Sequence, residues 1–206
     1  MFWIALAAQL SAPAPTSLHW FSYNDVPAYL IEKNNGTWAV RTRLVVAPTG
    51  KLERCDVELS SGETRLDNYT CALLLKRAKF QAARWTDGSP VYGVYRTVIM
   101  FAVSESANVP KHTDTADLQL TVNQLPKGAK SPAGVRVMFA VDVSGHSSAC
   151  VREPPAPGLP DNDPTLVALA CDEVGKSYTA IPVKDAQGNL VPSVQDAAIS
   201  FTQDKP

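Results

Sequence analysis

Four cysteines and three histidines are the side chains best suited to redox, metal or nucleophilic chemistry, and their spacing decides which of these is open. Cys55 and Cys71 lie 71 − 55 = 16 residues apart, and Cys150 and Cys171 lie 171 − 150 = 21 apart. Neither separation fits a CxxC redox pair or a zinc-ligand pattern. An even count behind an apolar start reads as two disulfides in an oxidising compartment, with three connectivities open on the count alone. His19, His112 and His146 stand in unrelated stretches and read as surface histidines rather than as ligands or bases. Ser60 and Ser61 invite a nucleophile reading, but no GxSxG setting accompanies them, and a turn leading into a helix is the better expectation. Asp161-Asn162-Asp163 lacks the glycine and the terminal glutamate of a calcium loop, and no glycine-rich phosphate loop or HExxH occurs. The residues thus predict no enzyme, no metal and no cofactor.

Composition bounds the rest. The chain has 206 residues, 45% of them hydrophobic, which is ample for a core. Charged residues make up 19%, below the ~25% usual for globular domains. Twenty acidic against 19 basic residues leave a net charge of −1, which argues against nucleic acid or a polybasic membrane anchor. Phe2 to Leu10 is apolar apart from Gln9, and Ser11-Ala12-Pro13-Ala14-Pro15 follows. This predicts a secretory leader over 1–16, with cleavage near Ser11–Ala14; the competing reading is a frayed apolar tail. The run is too short to span a membrane, which takes roughly 20 apolar residues.

Two segments repeat. Val40, Gly50 and Cys55 recur 95 residues later as Val135, Gly145 and Cys150. Leu66, Cys71, Gly88, Val91 and Phe101 recur 100 residues later as Leu166, Cys171, Gly188, Val191 and Phe201. The difference, 100 − 95 = 5, is an insertion in the proline-rich stretch Pro154–Pro160, where a surface loop tolerates length. We read two homologous domains, over 17–103 and 118–203, joined by a polar linker over 104–117.

Periodicity assigns both copies the same elements. Val135, Val137, Phe139, Val141 and Val143 alternate with Arg136, Met138, Ala140 and Asp142, as do Val40, Thr42, Leu44 and Val46 in the first copy. Pro48-Thr49-Gly50 and Val143-Ser144-Gly145 make the hairpin turns. The return strand sets Cys55, Val57 and Leu59 on its inner face. A helix follows over about Leu66–Lys79, with Cys71, Leu74, Leu75 and Ala78 as its apolar stripe. Cys71 therefore faces the sheet where Cys55 lies, which predicts Cys55–Cys71 and, by the repeat, Cys150–Cys171. Each closure is worth about 3 kcal/mol in the chain-entropy model. The last strands run over Val91–Val103 and from about Val191 to Phe201, and a short strand at Leu118, Leu120 and Val122 opens the second copy. The predicted fold class is α+β: two tandem β-β-α-β units, each a three-stranded antiparallel sheet with one helix.

The first copy, VRTRLVVAPTGKLERCDVELSSG (40–62), LDNYTCALLLKRAKFQAA (66–83) and DGSPVYGVYRTVIMF (87–101), resembles the TonB C-terminal domain family in its disulfide-bearing, secreted form. The marks are Gly50, the Ser60-Ser61-Gly62 turn, Leu66-Asp67, Phe80, Gly88-x-Pro90-Val91 and Phe101. Asp25-Val26-Pro27 stands where the family has its tyrosine-proline approach, with Val26 in the tyrosine's place. The likeness covers about residues 24–102. The second copy keeps Gly145, its cysteines, Gly188, Val191 and Phe201, but loses the SSG turn and has Leu166-Val167.

The resemblance implies a periplasmic protein of a Gram-negative bacterium that adds an extended peptide, such as an outer-membrane receptor segment, to an open sheet edge. It also implies an accessory role in TonB-dependent energy transduction and transport, with an inner-membrane partner supplying the anchor. The expected edge is the last strand of the first copy: Val91, Tyr92, Val94, Tyr95, Arg96, Val98 and Met100. Trp85, Tyr92 and Tyr95 are either half-buried packing or the lining of a groove. Lys76, Arg77, Lys79 and Arg84 read as a solvated basic face. The rival expectation is a structural envelope module whose tandem units share a sheet and leave no free edge.

Overall fold

The computed structural model describes residues 10–32, 36–103, 116–154 and 163–204. His112, Phe2–Gln9, most of the linker, Pro155–Pro160 and the Asp161-Asn162 pair lie outside them.

The chain opens with a two-residue strand β1 (Ala14–Pro15), a turn of 3-10 helix over Tyr23–Asp25 and a short helix α1 (Ala28–Ile31). The first copy then builds a hairpin of β2 (Thr37–Val46) and β3 (Leu52–Leu59), helix α2 (Thr64–Arg77), short strands β4 (Phe80–Gln81) and β5 (Ala83–Arg84), and the long strand β6 (Pro90–Ala102). The hairpin needs its glycine. Gly50 has φ +81°, and a Cβ there would meet the Phe80 carbonyl oxygen at 2.2 Å. Instead the Gly50 carbonyl accepts the Phe80 N–H at 3.1 Å, tying the turn to the strand after the helix.

Helix α2 lies on β2 and β3 through Leu66, Thr70 and Leu74, and Cys71 is bonded to Cys55. Both ends of the helix are clamped by carboxylates. At its start Asp67 accepts the Ser60 hydroxyl (2.5 Å), the Ser61 hydroxyl (2.7 Å) and the Ser61 N–H (3.0 Å). At its end Arg77 donates both nitrogens to Asp25, at 2.7 and 2.9 Å, and one to the Trp20 carbonyl. The serine turn thus serves the helix, and Arg77 is an ion-pair partner rather than part of a solvated face.

The second copy repeats the order: β7 (Leu118–Val122), β8 (Ala133–Val141), β9 (Ser147–Arg152), α3 (Pro164–Ser177), the hairpin β10 (Val183–Lys184) with β11 (Leu190–Val191), and β12 (Ser193–Gln203). Asp163 caps α3 by accepting the N–H groups of Thr165 and Leu166, with Pro164 at the first helical position. Cys150 is bonded to Cys171.

The molecule is α+β, as expected, but the two separate three-stranded sheets are not. One eight-stranded sheet runs β3-β2-β6-β12-β8-β9, with β5 added to β6 and β7 added to β12. The join is a parallel contact of the two last strands, Tyr92 beside Ser193 and Gly93 beside Val194. Side chains on paired positions share a face. Ser193 has the parity of Ala197, Ile199 and Phe201, which pack with α3, whereas Tyr92 has the parity opposite to Tyr95 and Ile99, which pack toward α2. The two helices therefore lie on opposite faces of the sheet, as an approximate two-fold axis along the join requires. The halves also interlock. Val183 and Val191 of the second half pack on Val45 and Val94 of the first. Reciprocally, Ala83 and Val91 pack on Met138, Ala140 and Val194.

Two local expectations fail. Leu75 is 44% exposed, because α2 turns the Leu66–Thr70–Leu74 line inward instead. Leu59 is exposed because β3 shifts register against β2 between Arg41 and Thr42, which pairs Leu59 with Arg41 on the opposite face, and Val57 is 38% exposed on the sheet's edge strand. Residues 10–16, the last part of the expected leader, pair with the strands that follow α2: Ala14 lies against Gln81, Pro15 against Phe80 and Ser11 against Arg84.

The clamps of α2 set an acid limit. Arg77 and Ser22 hold the Asp25 carboxyl well below the usual carboxylate range. Burial pushes Asp67 up, but the bonds from Ser60 and Ser61 outweigh it and leave it lowered. Both carboxyls thus favour folding above the unfolded aspartate pKa of ~3.9 and lose that contribution as the pH falls below it. Urea midpoints followed by tryptophan fluorescence should be flat from pH 7 to about 4 and then fall; Asp25→Asn should lower the midpoint at pH 7 and flatten the fall.

Candidate functional site

The last strand of the first copy is held along its whole inner side by β2, from Gly93 beside Val46 to Ala102 beside Thr37. Its outer side is divided. Pro90 and Val91 pair with β5, and Tyr92 and Gly93 with β12. Beyond Gly93 β12 diverges, and from Ile199 its neighbour on that side is β7. No described strand pairs with the outer side of β6 from Val94 to Ala102.

The expected edge residues fall into two groups. Val91 and Val94 are buried in the two interlocking clusters, and the Tyr92 hydroxyl donates to Glu53 at 3.1 Å. These three build the join. Tyr95, Arg96, Val98 and Met100 lie on the open stretch. Tyr95 turns toward α2, its ring 5.3 Å from Phe80 and 6.3 Å from Trp20. Val98 is half-buried, and Met100, on the same face, is 55% exposed. Trp85 packs with the cluster of Leu10, Ala83 and Val91.

Arg96 fills the wedge where β6 and β12 part. It donates to the Asp196 carbonyl at 2.6 Å, to the Asp196 carboxylate at 3.1 Å and to Glu58 at 3.0 Å. The second Asp196 oxygen accepts from Arg136, which also holds Glu153 at 2.8 Å, and Arg41 holds Glu58 at 3.3 Å. The chain Arg41–Glu58–Arg96–Asp196–Arg136–Glu153 follows the two-fold: 136 − 41 = 95, 153 − 58 = 95 and 196 − 96 = 100. Burial opposes the charge on Arg96, but Asp196, Asp117 and Glu58 outweigh it and raise its pKa above the ordinary arginine value. Arg43, buried beside them, donates to the Ile181 carbonyl at 3.2 Å, and burial lowers its pKa, opposed by Asp56. Gln195 donates to the same carbonyl at 2.9 Å. None of these residues except Arg96 was among those expected from sequence, although the repeat offsets mark the six of the charged chain.

His19 and His146 are exposed and, among the described residues, contact nearby turn residues. Among the described residues no group of His, Cys, Asp or Glu is arranged to hold a metal ion, and no helix is long and apolar enough to cross a membrane. The two disulfides fit an oxidising, non-cytoplasmic compartment. No family model, curated protein or solved structure matches this chain.

The Arg96 and Asp196 side chains are only 6% and 7% exposed, so removing one leaves the other's charge stranded. Asp196→Ala should cost roughly 3–5 kcal/mol in urea unfolding, whereas Arg96→Leu combined with Asp196→Leu should cost distinctly less than the two single changes added together.

Proposed function

We propose that this protein is a non-catalytic protein- or peptide-binding module of the periplasm of a Gram-negative bacterium, built from two TonB C-terminal-like units. In this reading it takes an extended peptide, of the kind an outer-membrane receptor offers, as an added strand on β6 between Tyr95 and Met100. It acts as an accessory to TonB-dependent energy transduction and transport across the outer membrane, alongside an inner-membrane partner.

One observation carries the reading: the outer side of β6 beyond Gly93 has no strand partner among the described residues. A sheet edge with unpaired N–H and C=O groups is a template for another chain. Apolar Val98 and Met100 on one face offer the side-chain contacts that β-augmentation uses for selection. The disulfides and the hairpin–helix–strand order of each half support the family likeness and the exported setting.

The second reading, a structural envelope module, is favoured by the shared sheet, which takes Val91 to Val94 out of any binding edge. Amide chemical-shift mapping separates the two. Titration with extended apolar peptides of the receptor-segment type should move the amides of Tyr95–Met100 and leave β8 and β12 unmoved. A flat response over the whole of β6 would favour the structural module.

A further inference from the structure

The chain carries a second place where an extended strand is held, away from the open half of β6. Residues Leu10–Thr16 lie along the strands that follow α2. Ser11 and Arg84 exchange both backbone hydrogen bonds at 3.0 Å, and the Thr16 N–H donates to the Lys79 carbonyl at 2.9 Å. Leu10 is 3% exposed and packs with Ala83, Val91, Met138, Ala140 and Val194, so its seat is made by both halves of the molecule. Pro13 is buried over Gly93, where a Cβ would come within 2.8 Å of the proline ring. A cleft of about 780 Å³ continues from this segment to Met138 and the outer strand β9.

The two-fold makes the seat's chemistry plain. Met138 and Ala140 are the counterparts of Arg43 and Val45, since 138 − 43 = 95 and 140 − 45 = 95. In the first-half copy of this corner the Arg43 guanidinium reaches across to the Ile181 carbonyl and closes it. In the second-half copy an unbranched methionine stands in that place and Leu10 enters beside it. Only one of the two equivalent corners is therefore shaped to accept a strand.

We propose that this groove is a strand-acceptor site for an extended, uncharged peptide carrying a large aliphatic anchor followed three residues later by proline, and that Leu10–Thr16 is its tethered occupant. The backbone of Lys79–Arg84 supplies the pairing, the Met138–Val194 pocket takes the aliphatic side chain, and Gly93 leaves room for the proline. A tethered strand acts at an effective concentration of about millimolar, so a free peptide competes only when the tether is loosened.

The test uses the full chain and a fluorescein-labelled synthetic peptide of residues 9–17, read by anisotropy. Leu10→Asp removes the internal anchor without touching the groove, and Ser11→Pro, which deletes the N–H donated to Arg84, is the second releasing variant. Each released chain, shown folded by its amide dispersion, should bind the peptide at least tenfold more tightly than the unaltered chain. Adding Gly93→Val to either should abolish that gain, and the peptide with Leu10 replaced by Asp should not bind. Release without any gain in peptide affinity overturns the proposal. So does a concentration-dependent dimer of the unaltered chain that exchanges residues 10–16, because the groove would then belong to a second copy. The amides that report here, Lys79–Arg84, differ from those that report on Tyr95–Met100, so either site fails by itself.

Discussion

Two last strands that lie parallel for only two residues, with a buried arginine and aspartate in the wedge beyond them, hold this molecule together. Each hairpin–helix–strand unit taken alone would leave its longest strand bare on one side. The join covers those strands over Tyr92–Gly93 and Ser193–Val194, and β7 takes over along β12. Where the strands separate, Arg96 and Asp196 occupy the gap, each with further partners of opposite sign. Burying such charges is costly, and only their multiple short contacts offset that cost. The arrangement consequently tolerates one relative placement of the halves and penalises a slipped one.

The two-fold is imperfect, and the imperfections fall where function is inferred. Ahead of its hairpin, the second half lays strand β7 along β12, whereas the first half folds its corresponding segment into the 3-10 turn at Tyr23–Asp25 and α1, pinned by Arg77. That difference leaves the far part of β6 open among the described residues. A second difference, Arg43 in one corner and Met138 in the other, closes one groove and lets Leu10 into its mate. The repeated hairpin–helix–strand order supplies the scaffold; the segment ahead of each hairpin decides which edge stays open, and one residue difference decides which groove does.

Much of the scaffold was legible in the sequence. The offsets of 95 and 100 residues, together with strand and helix parity, predict both disulfides and the order of the elements. The join was not, because alternation says which side chains share a face and nothing about which strand edge meets which. A signal was present all the same: Arg96 and Asp196 are opposite charges at equivalent positions of two otherwise uncharged strands. Leu75 was misassigned because a helical stripe wide enough for two lines of contact does not reveal which line meets the sheet. Ser11–Thr16 has the composition of a cleavage region, and composition does not register backbone pairing to Lys79 and Arg84. The binding edge was legible only as a strand; its division at Gly93 depends on contacts between halves.

Native-state hydrogen exchange across the join tests the central claim most directly. If the sheet is one cooperative unit, the protected amides at Tyr92–Val94 and at Val194–Ala197 will exchange with the same opening free energy and the same denaturant dependence. If the halves are independent, the two sets will open separately, with β12 exchanging while β2 and β6 stay protected, and the shared-sheet account fails.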